Sequence, residues 1–191
     1  MPRRGRRARL EGVESRKAFL IKRYHSGEAL NVGSGELYLD GAVNFDINQM
    51  KKPDIVGDFH NLPFKEGSFD VVFAFDIIEH TKTPDILVNE MERVGNNIVI
   101  ECLDFDLCPT NWEADETHFF YMNKKTFGEL LVPRGYHMFQ FIRVYINGKH
   151  FRKNMLVGVK KQKFLDKQMF LLNSFYYAYR RVLEKILELK R

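Results

Sequence analysis

Five short apolar runs limit how this chain can fold more than any other feature. Ala29-Leu30-Asn31-Val32, Ala42-Val43-Asn44-Phe45, Asp54-Ile55-Val56, Phe69-Asp70-Val71-Val72-Phe73-Ala74 and Asn97-Ile98-Val99-Ile100 are rich in β-branched and aromatic residues. They are nearly continuous rather than alternating. A strand with one wet face alternates apolar and polar positions; a strand covered on both faces does not. A helical pattern over Pro84–Arg93 lies between the last two runs, with Ile86, Leu87 and Met91 at helical spacing and Pro in the first turn. A second runs from Lys124 to Val132 and stops at Pro133-Arg134-Gly135. Strands alternating with helices predict a parallel α/β sheet. Met138–Ile146 and Phe151–Val159 flank Asn147-Gly148, a dipeptide that tolerates positive φ, so the sheet is expected to end in an antiparallel hairpin.

The length of 191 residues suits one domain, and 45% hydrophobic residues exclude wholesale disorder. No apolar run approaches the ~20 residues that span a bilayer, and the Arg-rich start has no apolar segment behind it, so a cytoplasmic protein is expected. Cys102 and Cys108 form neither a disulfide framework nor a zinc knuckle. Charge is divided sharply. Residues 1–23 hold nine basic and two acidic side chains and residues 160–191 hold nine and three, whereas those between hold 12 and 20. The organisation expected is a basic arm and helix over 1–23, a folded domain over 24–160, and a basic amphipathic helix over 161–191. In that last segment Leu165, Met169, Leu172, Tyr176, Tyr179, Leu183 and Ile186 share one helical seam. The seam suits packing on its own domain, a homodimer contact, or a membrane surface, and the cations suit anionic headgroups or RNA.

The chemistry-bearing motif follows the first strand. Gly33-Ser34-Gly35 would let the backbone turn sharply and let a ligand approach main-chain N–H groups. Asp46, at the end of the second strand, is placed to accept from ribose hydroxyls. With LNVGSG, NFDIN and DIVGDFHNLPFKEGSFDVVFAFDIIEH in that order, residues 28–137 resemble the class I S-adenosylmethionine-dependent methyltransferases of the compact type 11 group. The resemblance implies a Rossmann-like doubly wound sheet, mostly parallel, in three αβα layers. It also implies that S-adenosylmethionine is held by Gly33, Ser34 and Gly35 under its methionine portion. Asp46 would hold the ribose and Ile47 the adenine face. Asp58 and the Phe59 N–H would meet the adenine edge, and Asp76 the aminocarboxypropyl end. The family usually has Asp where Asn31 stands, which implies an altered contact to the cofactor's ammonium. Only nine residues separate the first strand from Ala42, so the first crossover helix is expected to shrink to a turn.

Methyl transfer asks mainly for alignment and for removal of the acceptor's proton. His80, with an ordinary pKa near neutrality, and His118 are the candidate bases, and Glu79 accompanies them. If a helix follows the fourth strand, Asp76, Glu79 and His80 at i, i+3 and i+4 share one face that His118 could approach, a set able to bind a divalent metal. Three readings stay open: a methyltransferase acting on oxygen or nitrogen of a small-molecule, glycan or lipid-linked acceptor, peripheral at a membrane; an RNA methyltransferase; and a non-catalytic scaffold of the same fold.

Overall fold

The computed structural model describes residues 27–107, 109–146 and 150–160. The chain divides into two units at Lys161–Gln162, and all described residues lie in the first. The expected arm and helix over 1–23, the helix over 161–191, Cys108 and the turn at Asn147-Gly148 lie outside the described residues.

Strands β1 (Ala29–Val32), β2 (Ala42–Asp46), β3 (Ile55–Val56), β4 (Phe69–Phe75), β5 (Gly95–Leu103), β6 (His137–Ile146) and β7 (His150–Lys160) form one sheet in the order β3-β2-β1-β4-β5-β7-β6. β1 pairs parallel with both β2 and β4, and β4 pairs parallel with β5. β7 inserts antiparallel between β5 and β6, with Ile100 opposite Gly158 and His137 opposite Val159. Strand order reverses between β1 and β4, and a crevice at the carboxyl ends of the strands is the usual ligand position at such a point.

The continuous apolar runs have the predicted cause. Leu30, Val32, Val72, Ala74, Ile98 and Ile100 join Leu87, Val88 and Met91 of helix α1 (Pro84–Val94) and Phe127 and Leu131 of helix α3 (Lys124–Leu131) in one core. Side chains of the intervening positions, Val71, Phe73 and Val99, are buried as well, so both faces of the central strands leave water. Pro84 starts α1 where its missing N–H has no role, and α3 is closed by a capping box between Asn123 and Thr126. A third helix, α2 (Pro109–Glu113), was not signalled by the apolar pattern, because none of its residues is buried. The stretch after β4 is not an α-helix but one 3-10 turn, Ile78–His80, entered through Asp76 at φ 49°.

Residues 33–41 connect β1 to β2 without a helix. Two buried amides take over the helix's work. Asn31 Nδ2 donates to the Leu37 carbonyl at 2.7 Å and to Asn44 Oδ1 at 3.0 Å, and Asn44 Oδ1 also accepts from Leu39 N at 2.8 Å. Asn44 Nδ2 returns bonds to the Leu39 and Ala42 carbonyls and to Asp54 Oδ2. Asn31 is therefore a structural amide, its side chain committed to the connection rather than turned toward a ligand's ammonium. Asn44→Ala removes the shared acceptor and donor at once and leaves buried partners unsatisfied. It is expected to lower unfolding free energy by about 3 kcal/mol, read as a shift of the urea midpoint at unchanged slope.

Candidate active site

The candidate cofactor residues collect at the carboxyl ends of β1, β2, β3 and β4 because the parallel register brings those ends side by side. Gly33 holds φ 64°, and a Cβ there would lie 2.4 Å from Ile77 Cγ1, so only a residue without a side chain lets the β1 loop close against the turn after β4. Ser34 is buried, its N–H donating to the Phe45 carbonyl at 3.0 Å. Gly35, at φ 45°, donates its N–H to Asp46 Oδ2 at 2.7 Å, and Asn48 N donates to Asp46 Oδ1 at 2.7 Å. Asp46 thus ties the glycine bend to the end of β2. Each of its oxygens has a further lone pair for a hydroxyl donor. Next to it Ile47 is 65% exposed, and Met50 and Val56 are exposed as well.

Asp58 follows β3 and caps the 3-10 turn Phe59–Asn61. Its Oδ1 accepts from His60 N at 2.9 Å and from His60 Nδ1 at 2.7 Å, whereas Oδ2 accepts no bond among the described residues. The His60 N–H holds the Asp58 carboxyl below its ordinary range, so it is a firm acceptor. Because a carboxylate can only accept, His60 carries its proton on Nδ1 when neutral. Its Nε2 then accepts from the Thr81 hydroxyl at 2.9 Å, which in turn accepts from Thr83 N at 3.0 Å. This line of bonds joins the β3 loop to the start of α1. A second clasp comes from Glu90, which accepts from Leu62 N at 2.8 Å and from Arg93 Nη2 at 2.7 Å, while Arg93 donates to the Leu62 and Phe64 carbonyls. Phe59 itself is buried beneath the turn.

The other half of the site follows β4. Phe119 and Phe120 donate their N–H groups to the Glu79 carbonyl at 2.9 and 3.1 Å, which draws the 115–121 segment over the 3-10 turn and sets His118 beside His80, ring centroids 4.8 Å apart. Glu79, His80 and His118 each place one ligating atom within 4.8 Å of the others. Asp76 stands outside this set, because the turn after β4 does not continue as the helix that the i, i+3, i+4 spacing requires. His80 Nδ1 contacts the Thr117 carbonyl at 3.1 Å and hydroxyl at 2.8 Å, and that hydroxyl donates onward to Asp115 Oδ1 at 2.6 Å. His118 Nδ1 lies 3.2 Å from the Trp112 carbonyl, and its ring stacks on the Trp112 indole at 5.5 Å and 16°. Burial, and then the neighbouring His118, push the His80 pKa below its ordinary value, so the imidazole is neutral and can accept a proton at pH 7. Leu107, Phe119 and Tyr121 are exposed at the rim on this side.

Buried acidity surrounds Cys102. Glu79, Asp76, Glu101 and Asp104 all push the fully buried Cys102 thiol upward, after burial itself as the largest cause. Asp104 accepts from Gln140 Nε2 at 2.8 Å, and burial raises its own pKa. The glycine cradle and the carboxylates that follow β2 and β3 suit a nucleoside ligand such as S-adenosylmethionine. His60, Thr81, Thr117 and Trp112 are the contributors that sequence reasoning missed. Asp58-Phe59-His60 carried the one readable signal, an acid and an imidazole two residues apart.

Residues 38–97 match the family described as "Methyltransferase domain". The described residues have the class I methyltransferase fold. Among curated proteins, norajmaline N-methyltransferase of Rauvolfia serpentina is 37% identical over 57 residues, which is 30% of this chain and 16% of that enzyme. The matched stretch is thus a small part of that enzyme's length. A S-adenosylmethionine-dependent methyltransferase of Methanosarcina mazei superposes with a TM-score of 0.55 at 12% identity, covering 75% of this chain and 98% of that one. Phosphoethanolamine N-methyltransferase 2 of Haemonchus contortus, in complex with phosphomonomethylethanolamine and S-adenosylhomocysteine, superposes with a TM-score of 0.52 at 13% identity, covering 76% and 52%. At these identities the structural likeness establishes the methyltransferase fold.

Two predictions test the local architecture. His60→Ala frees the Asp58 carboxylate from a charge-assisted bond, and S-adenosylhomocysteine affinity measured by calorimetry is expected to fall about tenfold, the equivalent of one such bond. Glu90 is held below its ordinary pKa of 4.5, chiefly by Arg93, so it contributes stability above that value and loses it as pH falls through the depressed pKa. Glu90→Gln is expected to be about 1–2 kcal/mol less stable than the wild type at pH 7, with the gap closing in urea titrations as pH falls from 4.5 through the depressed pKa.

Proposed function

We propose that the chain is a S-adenosylmethionine-dependent methyltransferase that transfers a methyl group to an oxygen or nitrogen of a small-molecule, glycan or lipid-linked acceptor. One observation carries the reading. A cradle suited to a nucleoside with a positive sulfur, built by Gly33, Ser34, Gly35, Asp46 and Asp58, shares an edge of the sheet with a pair of imidazoles suited to an acceptor, His80 and His118. The two halves touch where Gly33 closes on Ile77.

In this reading Asp46 accepts from the ribose hydroxyls, with Ile47 and Met50 along the adenine. Asp58 Oδ2 accepts from the adenine amino group, the Phe59 N–H meets a ring nitrogen, and Asp76 stands at the aminocarboxypropyl end. The cofactor supplies the electrophilic methyl carbon. Bound there, its sulfonium would be the leaving group, keeping the carbon–sulfur electron pair as the methyl passes to the acceptor. His80, neutral at pH 7, takes the acceptor's proton, directly or through water, with its ring held by Thr117. The cations at both ends of the sequence dock the enzyme on an anionic surface where a lipid-linked acceptor is presented.

Thermal unfolding with added S-adenosylmethionine or S-adenosylhomocysteine tests the reading. Saturation at 100 times the dissociation constant is expected to add about 2.7 kcal/mol of stability, seen as a rise of several degrees in Tm. Asp46→Ala and Asp58→Ala should each abolish most of that rise, and mass spectrometry of cell extract incubated with isotopically labelled donor should show a labelled product only with the wild type. No shift with either ligand at millimolar concentration would remove the proposal.

A further inference from the structure

We propose that Glu79, His80 and His118 form a binding site for a divalent cation of the zinc, manganese and iron class, beside the acceptor rather than the adenosine. The proposal rests on the methyltransferase reading only for what the cation would do, not for its binding.

Three independent features point to it. The ligand set is mixed, two imidazoles and one carboxylate from two separate segments, with one ligating atom of each within 4.8 Å of the others. Imidazole nitrogen with carboxylate oxygen suits borderline divalent metals better than magnesium or calcium. Both rings are also preset in the same sense. His80 Nδ1 is engaged by Thr117 and His118 Nδ1 by the Trp112 carbonyl, and a backbone carbonyl can only accept. Both neutral rings therefore carry the proton on Nδ1 and leave a lone pair on Nε2, the tautomer that outer-shell carbonyls impose on metal-ligating histidines. Finally, the positions are rigid. Glu79 is 1% exposed, its carbonyl clamps the segment carrying His118 through Phe119 N and Phe120 N, and Trp112 and Phe105 pack against the His118 ring.

A general-base pair would need only one of these imidazoles presented to substrate. Two imidazoles and one buried carboxylate with ligating atoms within 4.8 Å of one another make, beyond that, a mixed donor set that one divalent cation can bridge. Three protein ligands leave further coordination positions open. A hydroxyl bound at one of them would lose its proton more readily, to water rather than to His80, whose Nε2 the cation then occupies, so the site favours an oxygen acceptor over an amine.

The test uses the full chain, dialysed against chelator and then titrated separately with zinc, manganese(II) and cobalt(II). One equivalent of zinc or manganese retained after gel filtration, and visible absorption bands on cobalt addition, are expected. His118→Ala and Glu79→Gln should each fall below about 0.1 equivalent, with the cobalt bands lost, while circular dichroism and the Tm rise with S-adenosylhomocysteine persist. Thr117→Val, which removes one outer contact to His80, should weaken binding about tenfold. A wild-type protein that retains no stoichiometric metal while still binding S-adenosylhomocysteine would overturn the cation site and leave the methyltransferase reading intact. Metal bound equally by the wild type and by folded His118→Ala would also overturn it. Stoichiometric metal without any response to S-adenosylhomocysteine would support the site and sink the reading above it.

Discussion

The buried amide pair Asn31–Asn44 is the constraint on which the remaining architecture depends. A parallel strand pair ordinarily needs a crossover of a dozen or more residues, because the chain must travel back along the sheet before pairing again. Here nine residues, 33–41, make that journey, and their polar backbone is satisfied by side chains of the strands themselves. The β1–β2 register that results sets Gly33 level with Asp46. That places the glycine bend where the Asp46 carboxylate can catch Gly35 N. Local shortage of chain, an interior hydrogen-bond network and the shape of the ligand cradle are one problem with one solution.

The segment after β4 is ordered differently. The turn after β4 is too short to bury much apolar area, and its order comes from neighbours. Asp76 N bonds to the Glu101 carbonyl, the Glu79 carbonyl receives two N–H groups from 119 and 120, and Thr81 reaches His60. His80 and His118 are 38 positions apart in sequence yet meet because a single carbonyl holds both of their segments. The same turn lies against Gly33, so the β1 glycine loop and the turn after β4 share a close boundary.

Most of the central sheet was legible because two-sided burial leaves continuous apolar runs, and Ala29–Val32 and Lys124–Leu131 follow their composition closely. The placement of Asp46 at the end of β2 and of Asp58 just after β3 was legible because spacing in sequence becomes position in space there. Insertion of β7 between β5 and β6 was not legible, since local pattern shows that two strands pair but not which one enters the sheet interior. Nor was the role of Asn31, which a family pattern assigned to the ligand and the short connection claims for itself. The 3-10 turn at 78–80 was misjudged for a related reason. Helical spacing of Asp76, Glu79 and His80 was present, but Asp76 at positive φ breaks the helix before it begins.

The acids around Cys102 bear on the proposed exchange of donor for product. Asp76, Glu79, Glu101 and Asp104 converge on the interior around that thiol. Under the proposed reading, a donor that arrives with a cationic sulfur and leaves with a neutral one would lose one of its two attractions to that acidity, its ammonium keeping the other. Spent ligand would then be held less firmly than fresh ligand at the same contacts.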